Sequence, residues 1–234
     1  MNREEFLFEI NNLGINVDEE KLNKLEKFYD LLIEWNNKIN LTTIVDKESV
    51  FLKHFYDSLT LFKEVDLNSN IKLCDVGSGA GFPGIVLKIF FPNLSITLVD
   101  SLNKRVNYLN TIIKDLDLND IVAVHYRMED FSRLNEECYD VITARAVSNL
   151  NILSEISVRS LKIGGKLVFM KANCEEELAA ISKISDKLGL KLVSVNKFLL
   201  PKENSNRTLI ALEKNSKTNN KYPRTIDKIK RNPL

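Results

Sequence analysis

The chain has little of what would tie it to a metal, a membrane or an oxidising compartment. Its 234 residues include three cysteines, Cys74, Cys138 and Cys174, an odd number spaced 64 and 36 apart. That spacing suits neither a disulfide framework nor a ligand cluster, so buried free thiols are expected. Only two histidines, His54 and His125, are present, and no metal site is predicted. No apolar run approaches the roughly 18 residues that cross a bilayer. The first five residues carry Glu4 and Glu5 where a secretory signal carries basic residues, so a cytoplasmic protein without membrane contact is expected. The chain has no internal repeat and no low-complexity linker, and no coiled-coil seam argues for more than a monomer.

What is present describes a water-soluble folded body. Hydrophobic residues make up 44% of the chain, or about 47% with its eight glycines, inside the roughly 45–50% typical of globular proteins. The 28% of charged residues accompanies too much apolar sequence for a disordered chain. The length suits one large domain with an extension. The net charge of +1 hides an asymmetry: Lys214 to Leu234 holds seven basic residues against Asp227 alone, a net +6, which leaves residues 1–213 at −5. Such a tail is either a solvated end or a segment drawn to a polyanion such as RNA.

The hydrophobic period changes near residue 70. Before it, Leu22, Leu25, Phe28, Tyr29, Leu32, Trp35 and Ile39 recur at helical steps behind Asp18, a good N-cap. A short helix near Glu4 to Asn11 and another over Lys47 to Lys63, with Phe51, Phe55 and Leu59 on one face, complete an N-terminal helical cap. After residue 70, short apolar strands alternate with helices. Strands are predicted at Ile71–Val76, Ser95–Val99, Ile121–His125, Tyr139–Thr143 and Lys166–Met170, then near Lys191–Val195 and Arg207–Leu212. Helices are predicted at Pro83–Phe91, Asn103–Leu116, Ile152–Leu161 and Glu175–Leu188. This is the pattern of a doubly wound α/β sheet, whose ligands sit beyond the carboxyl ends of the strands. The last two strands lack a helix between them and predict an antiparallel hairpin. The expected division is a cap over 1–66, a Rossmann-like domain over 67–213 and a basic tail over 214–234.

The segment from Asp75 to Gly84 lies between the first strand and the next helix and holds two motifs at once. Gly79, Gly81 and Gly84 satisfy the dinucleotide fingerprint GxGxxG, which an oxidoreductase would use. Asp75, Gly77, Gly79 and Gly81 instead give DxGxGxG, a common form of the S-adenosylmethionine loop. A carboxylate at the strand end repels a pyrophosphate but stabilises a sulfonium compound with an α-ammonium. Asp100, ending the second strand, suits two ribose hydroxyls of either cofactor. Met128 and Glu129, in a loop beyond the third strand, offer a thioether and a carboxylate to an adenine. Arg145 ends the fourth strand where an acceptor would approach, or serves as an ion-pair partner.

Absences at the strand ends narrow the chemistry. No Asn-Pro-Pro-Tyr or Asp-Pro-Pro-Tyr is present to orient an exocyclic amine, and no Pro-Cys or Thr-Cys supplies a thiolate for a pyrimidine ring. A guanine N7 carries its own lone pair and needs alignment rather than a general base.

Trp35 to Thr42, His54 to Leu59, Asp75 to Gly84, Asp100-Ser101 with Lys104-Arg105, Met128-Glu129, Arg145-Ala146 and Tyr222-Pro223-Arg224 together resemble the ribosomal RNA small subunit methyltransferase G family over almost the whole chain. The resemblance implies a class I S-adenosylmethionine-dependent methyltransferase sheet, mostly parallel with an antiparallel last strand. It also implies methyl transfer to N7 of a guanine in 16S rRNA, nucleotide 527 in conventional numbering, within the 30S subunit or its precursor. On this reading Asp75, Gly77, Gly79, Gly81, Phe82, Asp100, Ser101, Met128 and Glu129 bind the cofactor, and Arg145 lies between cofactor and acceptor. His54, Asp57, Lys104, Arg105, Tyr222 and Arg224 are RNA-side candidates. A non-catalytic RNA-binding module is the reading from another class. The chain departs from the family pattern where Thr225-Ile226-Asp227-Lys228-Ile229 follows Arg224, and where Ala172 rather than glycine follows Lys171.

Overall fold

Side-chain caps start the two N-terminal helices. Asn2 and Asp18 accept the backbone amides of Glu5 and Lys21, opening α1 (Arg3–Asn12) and α2 (Glu19–Ile39). In this computed structural model, residues 1–234 are described except Ala146, Val147, Asn173, Ala179 and Ala180, and except the side chains of Glu176 and Ser182. Helix α2 buries Leu22, Leu25, Phe28 and Leu32, with Tyr29, Trp35 and Ile39 packed half-buried beside them.

The segment Lys47 to Lys63, predicted as one helix, changes register three times. It runs as α3 (Lys47–Val50), a π-helical stretch Phe51–Tyr56, α4 (Asp57–Leu59) and a 3₁₀ turn Thr60–Lys63. The wider π turn buries Phe51 and Phe55 together while His54 and Asp57 reach the sheet.

The rest is one seven-stranded sheet. In chain order its elements are β1 (Lys72–Val76), α5 (Gly84–Phe90), β2 (Ser95–Asp100), α6 (Asn103–Asp115), β3 (Ile121–His125), α7 (Met128–Leu134) and β4 (Tyr139–Arg145). They continue with α8 (Leu150–Ser157), β5 (Leu161–Lys171), α9 (Glu175–Leu178), α10 (Ile181–Leu188), β6 (Leu190–Leu199), β7 (Asn206–Lys214) and α11 (Ile226–Arg231). The order is β3-β2-β1-β4-β5-β7-β6. Strands β1 to β5 pair in parallel, and β7 is antiparallel to both neighbours, β5 and β6. The order of strand addition reverses between β1 and β4, the crevice where a doubly wound sheet holds its ligand.

Alternation along β1 sends Leu73 into one core and Cys74 and Val76 into another. The first core joins α1, α2, α5 and α6; the second joins α7, α8, α10 and α11. Met128 and Glu129, expected in a loop, begin α7. Lys214, expected as the first tail residue, ends β7 and is buried, its ammonium donating to the carbonyls of Val158 and Leu161. The helix predicted over Glu175–Leu188 is seen as α9 and α10; Ala179 and Ala180 between them, like Ala146 of the Arg145-Ala146 motif, lie outside the described residues. All three cysteines are free, Cys74 and Cys174 buried and Cys138 half-buried. No described helix is long and apolar enough to cross a membrane, and among the described residues no three His, Cys, Asp or Glu side chains group to hold a metal.

Candidate active site

The loop after β1 folds tightly because its glycines permit it. Gly77, Gly79 and Gly81 take φ of 69°, 57° and 94°, the left-handed region that favours glycine. The Gly77 amide donates to the Val99 carbonyl at 2.8 Å, tying the loop to β2. At Gly84 the reason is space: a Cβ would lie 2.2 Å from Leu98 Cδ2 and 2.9 Å from Asp75 Oδ2.

Asp75 is fully buried beneath this loop. Its Oδ2 accepts the Gly84 amide at 3.0 Å, while Oδ1 has no partner among the described residues. Burial, only partly offset by the Gly84 amide and Ser78, raises its carboxyl from the usual 3.8 to about 7. An unpartnered buried carboxylate oxygen is costly unless something cationic or hydrogen-bonding meets it. Asp100, 2% exposed, accepts the Gly79 amide on Oδ2 and the Leu102 amide on Oδ1, both at 2.9 Å. It therefore closes the loop from the β2 side. Arg105, at the start of α6, stands 3.6 Å from Asp100 Oδ2, whereas Lys104 beside it is exposed.

Of the cavities at the carboxyl edge of the sheet, two flank the β1–β4 switch point. The first, about 160 Å³, lies between the ends of β1 and β2 and is lined by Gly77, Ser101, Met128 and Glu129. Two further walls, Ile226 and Lys230, come from α11. The second, about 260 Å³, lies where β4 and β5 end under the N-terminal helices, against His54, Asp57, Arg145 and Arg207.

A polar cluster builds that second cavity. The Arg145 guanidinium donates to the Lys53 carbonyl at 3.0 Å, to Asp57 Oδ2 at 3.3 Å and to His54 Nδ1 at 3.2 Å. Asp57 Oδ1 accepts Arg207 Nε at 2.9 Å, so one nearly buried carboxylate holds two guanidiniums. His54 Nδ1 also lies 3.1 Å from the Lys53 carbonyl, and Nε2 lies 2.9 Å from Thr42 Oγ1, so both ring nitrogens are engaged. Burial and then the adjacent Arg145 charge lower His54 from 6.5 to about 3, keeping the ring neutral. His54 stacks on Phe82 with ring centres 4.5 Å apart, and the Arg145 guanidinium lies 4.9 Å from the centre of the same ring.

The expected site residues thus fall into several places. Asp75, Gly77, Gly79, Gly81, Asp100, Ser101, Met128 and Glu129 surround the loop and the first cavity. Phe82 turns away from the loop's open side, beneath His54 and against Phe28 and Phe55. His54, Asp57 and Arg145 meet in the second cavity. Tyr222 is buried in the α8 and α11 core. The Arg224 guanidinium is held by Glu155, Nε to Oε1 and Nη2 to Oε2, each at 2.7 Å.

Sequence reading missed Arg207, Ile226 and Lys230. Arg207 had a usable signal: an antiparallel strand brings its first residues to the edge where parallel strands end, and Thr208 pairs with Lys171 at the end of β5.

Sheet order, glycine loop and edge cavities define a Rossmann-like fold of the methyltransferase type. Solved structures of similar fold include a SAM-dependent methyltransferase from Aquifex aeolicus, with TM-score 0.55, 20% identity, and 72% of this chain and 94% of that one covered. Another is M. jannaschii TYW2 in complex with AdoMet, with TM-score 0.53, 16% identity, and 68% and 76% covered. The profile of the family described as rRNA small subunit methyltransferase G matches residues 21–208. Proteins named ribosomal RNA small subunit methyltransferase G match nearly end to end. The one from Staphylococcus carnosus (strain TM300) is 44% identical over 94% of this chain and 93% of its own. The one from Bacillus subtilis (strain 168) is 43% identical over 100% and 99%. The chain belongs to the rRNA small subunit methyltransferase G family.

Proposed function

We propose that the protein transfers a methyl group from S-adenosylmethionine to N7 of a guanine in 16S rRNA, nucleotide 527, acting as a cytoplasmic monomer on the 30S subunit or its precursor. The observation that carries the reading is the pair of cavities on either side of the β1–β4 switch point, one fitted for an adenosine and the other built from a donor-rich cluster with no free base.

The residues present fit the cofactor. Asp75 Oδ1, buried and without a partner among the described residues, can accept from the α-ammonium. Gly77, Gly79 and Gly81 let the backbone approach the methionine portion closely. Asp100 and Ser101 face the ribose, Met128 and Glu129 the adenine, and Arg145 the boundary with the acceptor. Phe82 supports the site from below by holding His54 and Arg145 in place. When bound, S-adenosylmethionine supplies a methyl group activated by its sulfonium.

The second cavity suits N7 because that atom has no proton to lose. Both ring nitrogens of neutral His54 are engaged, and both Asp57 oxygens hold guanidiniums. Neither is free to act as a general base. Guanidiniums pair well with the O6 edge of guanine, so Arg145 and Arg207 can hold O6 while N7 aligns for in-line attack. Asp57 offsets one of their two charges, which limits the field that opposes the cationic product.

The helices within 1–66 act as a cap on the 67–213 catalytic domain, with 214–234 as its C-terminal extension. Lys104 and Arg105 are the surface candidates for RNA phosphates. His54, Asp57, Tyr222 and Arg224 serve the RNA side from beneath, by shaping the surface. The test is calorimetric titration with S-adenosylmethionine, then transfer of labelled methyl to 30S subunits lacking the modification, read by chain cleavage at 7-methylguanine. One modified guanine is expected. Binding followed by methyl on another atom, or no transfer to 30S subunits or naked 16S rRNA, overturns the assignment.

A further inference from the structure

The C-terminal extension is strapped down rather than solvated. Arg224 makes its two-bond pair with Glu155, a fully buried carboxylate of α8, and the Arg224 amide adds a third bond at 3.0 Å. Arg133 of α7 donates to the Pro223 carbonyl at 2.7 Å, and Arg159 donates to the Tyr222 carbonyl at 3.3 Å. Tyr222 and Ile229 are buried in the core on that side of the sheet. These anchors fix the start of α11 and its inner face against α7 and α8.

That placement sets a second face of α11 against the first cavity. Ile226 and Lys230, one helical turn apart, both line it. Across from them stand Met128 and Glu129 of α7 and Ser101 at the end of β2. Without α11 this cavity would be open on its outer side. Ile226 is half-buried, packed against the edge of the second core where it meets the cavity, and Lys230 is exposed at the rim.

We infer that α11 is the outer wall of the adenosine pocket, with Ile226 covering a purine face and Lys230 donating at the pocket mouth to a purine nitrogen or ribose oxygen. The inference rests on the cofactor reading above and assigns to the extension a role in holding the small ligand. A purine is flat and largely apolar on its faces, so an aliphatic side chain opposite Met128 removes from water a surface the sheet edge alone leaves exposed. The ammonium on the same helix face then meets the polar edge of the nucleoside.

The test uses the full chain and S-adenosylmethionine titrated by calorimetry. Ile226→Ala removes three carbons from the wall and is expected to weaken binding by up to about fiftyfold, since each buried methylene contributes about 0.8 kcal/mol and about 1.4 kcal/mol is tenfold. Lys230→Ala is expected to weaken it about threefold, the effect of one hydrogen bond. Lys228→Ala, exposed on the same helix but outside the cavity, leaves affinity unchanged. In transfer assays the two wall variants raise KM for the cofactor and keep kcat at saturation, a split that general loosening of the fold does not produce. Wild-type binding with both wall variants within twofold of it overturns the inference and leaves the cofactor reading intact. A wild-type chain that binds no S-adenosylmethionine overturns the cofactor reading, and the inference with it.

Discussion

Replacing Asp75 by Asn keeps the side chain's shape and an oxygen for the Gly84 amide, but removes a charge that burial resists. The folded carboxyl sits near 7 against 3.8 for the ordinary side chain. Between those values the native state binds a proton that the unfolded chain has released, so wild-type stability falls as pH rises through this window. The stability is fully present below about pH 4 and lost once pH passes about 7. At about 1.4 kcal/mol per pH unit over roughly three units, the ceiling on the loss is about 4 kcal/mol. Asp75→Asn carries no such term. Urea unfolding of both proteins from pH 4 to pH 8 is therefore expected to show similar stability at the acid end and a more stable variant at the alkaline end. Carboxyls such as Asp140, lowered by Lys162 and the Lys72 amide despite burial, titrate in both proteins and cancel in the difference. Cofactor binding runs the opposite way. An ammonium needs the ionised carboxylate, so wild-type affinity for S-adenosylmethionine rises toward pH 7 and levels off, while the variant binds weakly with a flat profile. A stability difference independent of pH, or a variant less stable than wild type at pH 8, refutes this account of Asp75.

Gly84→Ala places its methyl against Leu98 and the Asp75 carboxylate; thermal unfolding is expected to show a loss of about 1–3 kcal/mol, together with weaker cofactor binding. His54 is expected to stay neutral, so its ring resonances in NMR spectra should not titrate between pH 5 and pH 8. Below pH 6.5 the unfolded ring gains a proton that the native ring refuses, so this histidine lowers stability in acid.

Local patterns made much of the fold legible. Asp18 was readable as a cap because capping depends on a side chain three residues from its amide, and β3 spans the predicted Ile121–His125 because apolar residues and turn signals bound it closely. Asp75, Asp100, Met128 and Arg145 were readable as site candidates through their places at or just beyond strand ends, and the sheet brings those ends to one edge. What escaped is non-local. Arg207 matters only because β7 inserts between β5 and β6 and points backwards. The π turn at Phe51–Tyr56 carries Lys53, whose carbonyl accepts from Arg145 of β4, a contact between residues far apart in sequence. Lys214 and Arg224 read as tail charge, yet one is buried under carbonyls and the other is held by Glu155.

The Asp57 clasp also has a meaning in time. It joins residue 57 to Arg145, 88 positions on, and to Arg207, 150 positions on. During synthesis the N-terminal helices emerge first, but the pocket they roof stays unfinished until the last strand follows. A chain stopped before β7 leaves one oxygen of that acid without its guanidinium. The clasp therefore closes only when β7 has joined the sheet, late in synthesis.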